Sequence, residues 1–126
     1  MPETTKNPLV WVEIPVTDLE KAVSFYSAVF GFNLTIDSSG PNKVAMFPDK
    51  DSMGIAGHLY PGTPASNGQG PSPHLAVPGA LEDAMERCTA AGGTVRSPIV
   101  TIPPGRFAYV QDLDGNSLGL FEVAAS

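Results

Sequence analysis

Glu13 and His74 are the two side chains that sequence pattern brings to equivalent places with chemistry to offer. In "VWVEIPV" the apolar residues Val10, Val12, Ile14 and Val16 alternate with Trp11, Glu13 and Pro15. Strict alternation of this length predicts a β-strand with one face in a core. Glu13 then shares the other face with Trp11, because residues two apart on a strand point the same way. The stretch "SPHLAVP" at 72–78 parallels "WVEIPVT" at an offset of 61, which makes His74 the counterpart of Glu13. A carboxylate and an imidazole across a cavity floor form a general acid/base pair, two ligands of a metal, or a structural hydrogen bond. All three readings stay open at this point.

The elements that position the pair belong to a repeat. "LEKAVSFYSAVFGF" from Leu19 matches "LEDAMERCTAAGGT" from Leu81 at an offset of 62, with Leu19, Glu20, Ala22 and Gly31 recurring as Leu81, Glu82, Ala84 and Gly93. Both stretches carry an apolar stripe at helical spacing and end at glycine, which predicts helices near 19–30 and 81–92. Asp18 is placed to cap the first. Short β-like runs follow each helix: "NLTI", "KVAMF" and "MGIAGHLY", then "GTVRSPI", "FAYVQ" and "SLGLFEV". Asp114-Gly115 is a hairpin signal between the last two. The expected organisation is one domain over 1–126, with repeats at 8–60 and 72–123 joined by a Pro/Gly/Ser linker at 61–71.

The runs "IPVTDLEKAVSFYSAVFGF" and "GRFAYVQDLDGNSLGLFEV", with the duplication, resemble the glyoxalase/bleomycin resistance protein/dioxygenase family, the vicinal oxygen chelate superfamily. The resemblance covers essentially the whole chain. It implies an α+β fold of two tandem βαβββ modules forming a cupped eight-stranded sheet with two helices outside, often in a homodimer. It also implies a small-molecule cavity, with lyase, isomerase or dioxygenase chemistry among the relatives. Metal-using relatives take one ligand from the first and one from the last strand of each module. Counting along the repeat puts those positions on Trp11, Gly57, Ser72 and Gly119. Such residues do not hold a divalent ion, which needs several nitrogen or carboxylate donors together. No cofactor is therefore expected at that tetrad; a metal would need a displaced site on Glu13 and His74.

The remaining candidates divide by facing. Trp11 beside Glu13 reads as core filler or as a stacking wall for a ligand. Arg106, Phe107 and Tyr109 in "PGRFAYV" are candidates for the rim, Arg106 alternatively an exposed turn residue. The 62 offset pairs His58 with Leu120 and Tyr60 with Glu122, on the face away from the cup. Cys88, the single cysteine, falls on the apolar stripe of the second helix and reads as a buried structural thiol. A formal charge of −6 argues against nucleic acid or an anionic membrane as partner. The first ten residues carry no apolar signal-peptide core, so the expected location is the cytoplasm. The functional expectation is a ligand-binding protein without the family's usual metal. The competing one is an enzyme working through Glu13 and His74.

Overall fold

Alternation and helical periodicity become nine strands and two helices in the computed structural model, which describes residues 11–40, 43–48, 56–65 and 67–124. Strand β1 (Trp11–Val16) is followed by α1 (Leu19–Phe30), β2 (Thr35–Asp37), β3 (Val44–Met46) and β4 (Ala56–Pro61). The second half runs β5 (His74–Ala76), α2 (Leu81–Ala90), β6 (Thr94–Val95), β7 (Val100–Ile102), β8 (Gly105–Gln111) and β9 (Ser117–Val123). One sheet has the order β1-β4-β3-β2; the other has β5-β9-β8-β6, with β7 also paired to β8. In each half the first strand lies parallel to the last. The expected eight-stranded cup thus has a ninth strand. "GTVRSPI" breaks at Pro98, which has no N–H for the ladder. The Ser97 hydroxyl accepts from Tyr109 N there at 2.9 Å, in place of a backbone carbonyl.

The helix ends follow their local chemistry. Asp18 Oδ1 accepts from Lys21 N at 3.1 Å, and Gly31 closes α1 in the left-handed region at φ 73° with its N–H on Ser27 O. Ala80 gives α2 no capping side chain. Glu122 reaches over from β9 instead, and Leu81 N donates to its carboxylate at 2.8 Å. Helix α2 ends at Ala90, short of the expected 92. Gly92 already sits at φ 103°, and a Cβ on Gly93 would meet Cys88 Sγ at 2.7 Å and Gln111 O at 2.8 Å.

Both helices lie on one side of the sheets and share one core. Val16, Tyr26, Val29, Leu59, Leu81, Cys88, Val110, Leu118 and Leu120 are all essentially inaccessible in it. Burial and Asp112 push the Cys88 thiol up to about 11, the inert end of thiol behaviour. A polar strut ties the halves together. Asp112, at the β8–β9 turn, accepts from the buried Tyr26 hydroxyl at 2.7 Å and from Asn116 Nδ2 at 2.9 Å, while the same amide nitrogen donates to Pro15 O at 2.8 Å. The hairpin motif "DLDGN" therefore also docks β1 and α1 onto the second half. Among the described residues no helix is long and apolar enough to cross a membrane.

Candidate functional site

On β1, Ile14 and Val16 point into the core, so Trp11, Glu13 and Pro15 point to the concave side. The parallel register sets Glu13 opposite His58 and Pro15 opposite Tyr60. In register on parallel strands, opposed residues share a face. His58 and Tyr60 are therefore cup residues, which corrects the expectation that both face outward. The reason is an offset of one. In the second half His74 opposes Gly119, so Glu13 and His58 correspond to His74 and Gly119 at a shift of 61 throughout the strands. The extra residue before α2 shifts only the helix, and Leu59, fully buried, is the core-facing neighbour.

His58 joins the first wall into a unit. Trp11 Nε1 donates to His58 Nδ1 at 3.2 Å, and His58 Nε2 stands 3.4 Å from Glu13 Oε2. An indole N–H is only a donor, so Nδ1 is the accepting nitrogen and Nε2 carries the proton toward Glu13. His58 is largely enclosed while Glu13 is 62% exposed at its side chain. Tyr60 stands edge-on to His58 with ring centroids 6.1 Å apart. Glu13 thus has its imidazole neighbour in His58 rather than in His74. Among the described residues neither a hydrogen bond nor an ion pair joins Glu13 to His74.

His74 belongs to the second wall. Its ring lies over Gly119, where a Cβ would come within 2.1 Å of Nδ1, and it meets Phe107 edge-on at 4.9 Å, Tyr109 at 5.6 Å and Phe121 at 6.0 Å. Phe107 and Phe121 are directly opposed in the β8–β9 register, as are Tyr109 and Gly119. His74 is exposed at the cup surface, and partial desolvation against these rings lowers its pKa from the ordinary value, which favours the neutral imidazole near pH 7. Tyr109 therefore faces the cup.

Arg106 does not. Period two puts it with Ala108 and Val110 on the helix side of β8. There its two terminal nitrogens bond Glu82 at 2.9 Å each, and Nη2 also bonds Glu122 at 2.5 Å. This fork holds Glu82 down to about 2 and Glu122 below the usual carboxylate range, while the two carboxylates raise the guanidinium further. The expected rim residue is a clamp on the start of α2.

Two recesses open on the cup side. One, of about 170 Å³, follows the seam between β1 and β9 and is lined by Glu13, Pro15, Gln69, Pro73 and Ser117. The other, of about 270 Å³, is lined by Asn67, Arg96, Tyr109, Gln111 and Ser117. Ser117 borders both, with its hydroxyl against that of Ser72. Larger recesses along α1, near Lys21 and Leu113, lie on the outer surface away from this chemistry. With the corrected register, the four positions that the family resemblance marks as metal-ligand positions are Trp11, His58, Ser72 and Gly119. They offer one imidazole, already engaged by the indole, and one hydroxyl, already engaged by Ser117. That donor set does not fit a divalent ion. Among the described residues no three His, Cys, Asp or Glu side chains converge.

The architecture and the walls define a class: paired βαβββ modules whose two sheets present a concave face rich in aromatic rings. The profile of the Glyoxalase/Bleomycin resistance protein/Dioxygenase superfamily matches residues 9–120, and the chain belongs to that superfamily. No curated protein matches it. Among solved structures it is similar to a hypothetical protein from S. aureus, with 22% identity, TM-score 0.69 and coverage of 89% of this chain and 94% of that one. It is similar also to TnmS3, an antibiotic-binding protein from Streptomyces sp. CB03234, with 25% identity, TM-score 0.65, and 97% and 100% coverage. The fosfomycin resistance protein FosX from Listeria monocytogenes shares the fold at 16% identity, TM-score 0.64, and 97% and 96% coverage.

Proposed function

We propose that this protein binds a flat, largely apolar small molecule in its cup, without the superfamily's usual metal. The observation that carries the reading is a pair of walls. Trp11, 37% exposed, and Tyr109, 38% exposed, leave large aromatic faces open on the concave side of the two sheets. Aromatic faces held open by a rigid sheet are suited to stacking against a planar ligand. Glu13 and His74 supply polar contacts, one from each wall. The likeness to an antibiotic-binding protein over nearly the whole chain supports this choice. We place the protein in the cytoplasm, in keeping with one buried reduced thiol, and as a homodimer by analogy with its superfamily.

Trp11 is the sole tryptophan and provides its own readout. A panel of planar aromatic compounds should include members that quench its emission saturably, with the effect weakened in Tyr109→Ala. A panel that leaves emission unchanged while calorimetry locates binding elsewhere would overturn the proposal.

The Glu13–His58 geometry favours a second reading, acid–base chemistry on a bound ligand. In it Glu13 orients the Nε2 proton of His58, and neutral His74 accepts a proton across the cup. Turnover abolished by Glu13→Gln and by His74→Ala, with ligand binding retained, would select this reading over simple binding.

A further inference from the structure

Cations are few in this acidic protein. Five lie among the described residues: Lys21, Lys43, Arg87, Arg96 and Arg106. Lys43 pairs with Glu20 at 2.8 Å, Arg106 is clamped by Glu82 and Glu122, and Arg87 Nε donates to Val29 O at 3.1 Å. Lys21 lines an outer recess beside Asp18 and Asp114. Arg96 alone of the five lines a recess on the cup side, and it shares with Lys21 and Arg87 the lack of an acidic partner among the described residues.

Its position is set by the strands. Thr94 opposes Gln111 and Val95 opposes Val110, and Arg96 N donates to Tyr109 O at 2.8 Å, extending the ladder by one residue. Val110 is buried in the core, so alternation turns Arg96 to the cup side with Tyr109 and Gln111. There it borders the recess of about 270 Å³ with Asn67, Gln111 and Ser117, all hydrogen-bonding side chains. Tyr109 forms one side of that recess and continues into the wall of Phe107, Phe121 and His74.

We infer that the ligand is an aromatic acid whose carboxylate is received by Arg96 while its ring lies on the Tyr109 wall. A planar guanidinium with free N–H groups matches a carboxylate in a two-point fork, and an Asn, a Gln and a Ser supply further donors beside it. The acidic field of the chain makes an unpaired arginine beside an aromatic wall a selective feature, since anions are repelled elsewhere on the surface. This inference rests on the cup-binding reading and names the chemical class of its ligand.

Calorimetric titration with 2-naphthoate and 2-naphthamide separates the two claims, because these probes share a ring and differ in charge. The acid should bind about ten-fold more tightly than the amide, the scale of one charge-assisted hydrogen-bonded pair. Arg96→Gln should erase that gap while leaving the amide's affinity within about two-fold, and Arg96→Lys should retain part of it. Equal affinities in the parent protein, or a gap that survives Arg96→Gln, overturn the carboxylate inference and leave the cup reading standing. Binding of neither probe, with Trp11 emission unmoved, overturns both.

Discussion

Glu13 and His58 face each other in register on parallel neighbouring strands, with 3.4 Å between Oε2 and Nε2, and Trp11 closes the other side of the imidazole. The unit fixes a tautomer without a metal. It also couples a titratable ring to the only tryptophan of the chain. The indole N–H has no other acceptor among the described residues, so the position of Trp11 depends on His58.

The first prediction follows from that coupling. His58→Ala should change the intensity and position of Trp11 emission, because the indole loses its hydrogen-bond acceptor and its ring neighbour at 5.8 Å. His74→Ala, on the other wall, should leave emission unchanged in the absence of ligand. Identical spectra for the parent and His58→Ala would remove the contact from consideration.

The second concerns His74. Partial desolvation of this exposed residue against three aromatic rings lowers its pKa, so nuclear magnetic resonance should find its imidazole titrating below the ordinary histidine value. For a group whose folded pKa lies below its unfolded one, the contribution to stability is complete above the unfolded pKa. It is lost as the pH falls toward the folded value. Phe107→Ala should return the titration toward the ordinary range and flatten this part of the pH profile. A His74 titrating above the ordinary range would point to a carboxylate neighbour instead.

How much of this was legible beforehand depends on which rule governed each element. Helix α1 spans Leu19–Phe30 as its stripe, Asp18 cap and Gly31 stop indicate, because local chemistry decides both ends. Facing in β4 was misjudged because one repeat offset was carried from the helices into the strands. The alternation of "GHLYP" alone would have served better: Leu59 is the core residue, which puts His58 and Tyr60 opposite it. Arg106 was misplaced for want of a settled register in β8. Its two acidic partners, Glu82 and Glu122, are 24 and 16 residues away, and no local pattern announces such a clamp. The aromatic wall around His74 joins three strands, so it became visible only when pairing set Phe107 against Phe121.

Gly119 provides the third prediction. The His74 ring occupies the space that a side chain would need, with Cε1 and Cγ each 2.5 Å from a Cβ built there. Gly119→Ala should push the imidazole out of the aromatic cluster and move its titration toward the ordinary range. The cost should be about 1–3 kcal/mol of stability, typical of overpacking. Denaturant melts and the His74 resonance check the two parts together. An unshifted titration with unchanged stability would show that the ring does not rest on this glycine.

The fourth addresses the start of α2. Arg106 depresses the pKa of Glu82 and of Glu122, so both carboxylates add stability that is complete above their unfolded pKa. For Glu82 it is lost as the pH falls from about 4.5, the ordinary value, toward about 2, and for Glu122 as the pH falls toward its own lowered value. Arg106→Gln should therefore lower stability at neutral pH and narrow the gap to the parent protein as acid is added. Urea midpoints measured at stepped pH would show the two curves converging; parallel curves would mean that the clamp contributes nothing through charge.

The last prediction tests the strut between the halves. Asp112 gathers the Tyr26 hydroxyl, the Asn116 side chain and the backbone N–H groups of Asp114 and Asn116, all close to a buried turn. Burial, and then the Asp112 charge, raise the Tyr26 pKa, so the phenol stays a donor across the working range. Tyr26→Phe removes one donor from a carboxylate that keeps three others, and should cost about 1–2 kcal/mol. Asp112→Ala leaves all four donors without their acceptor at once and should cost roughly 3 kcal/mol or more. Because Asn116 also holds Pro15 O, the second variant should loosen β1 as well, exposing Trp11 and shifting its emission. Equal destabilisation by the two substitutions would mean that Tyr26 alone carries the strut, and that the turn keeps its shape without Asp112.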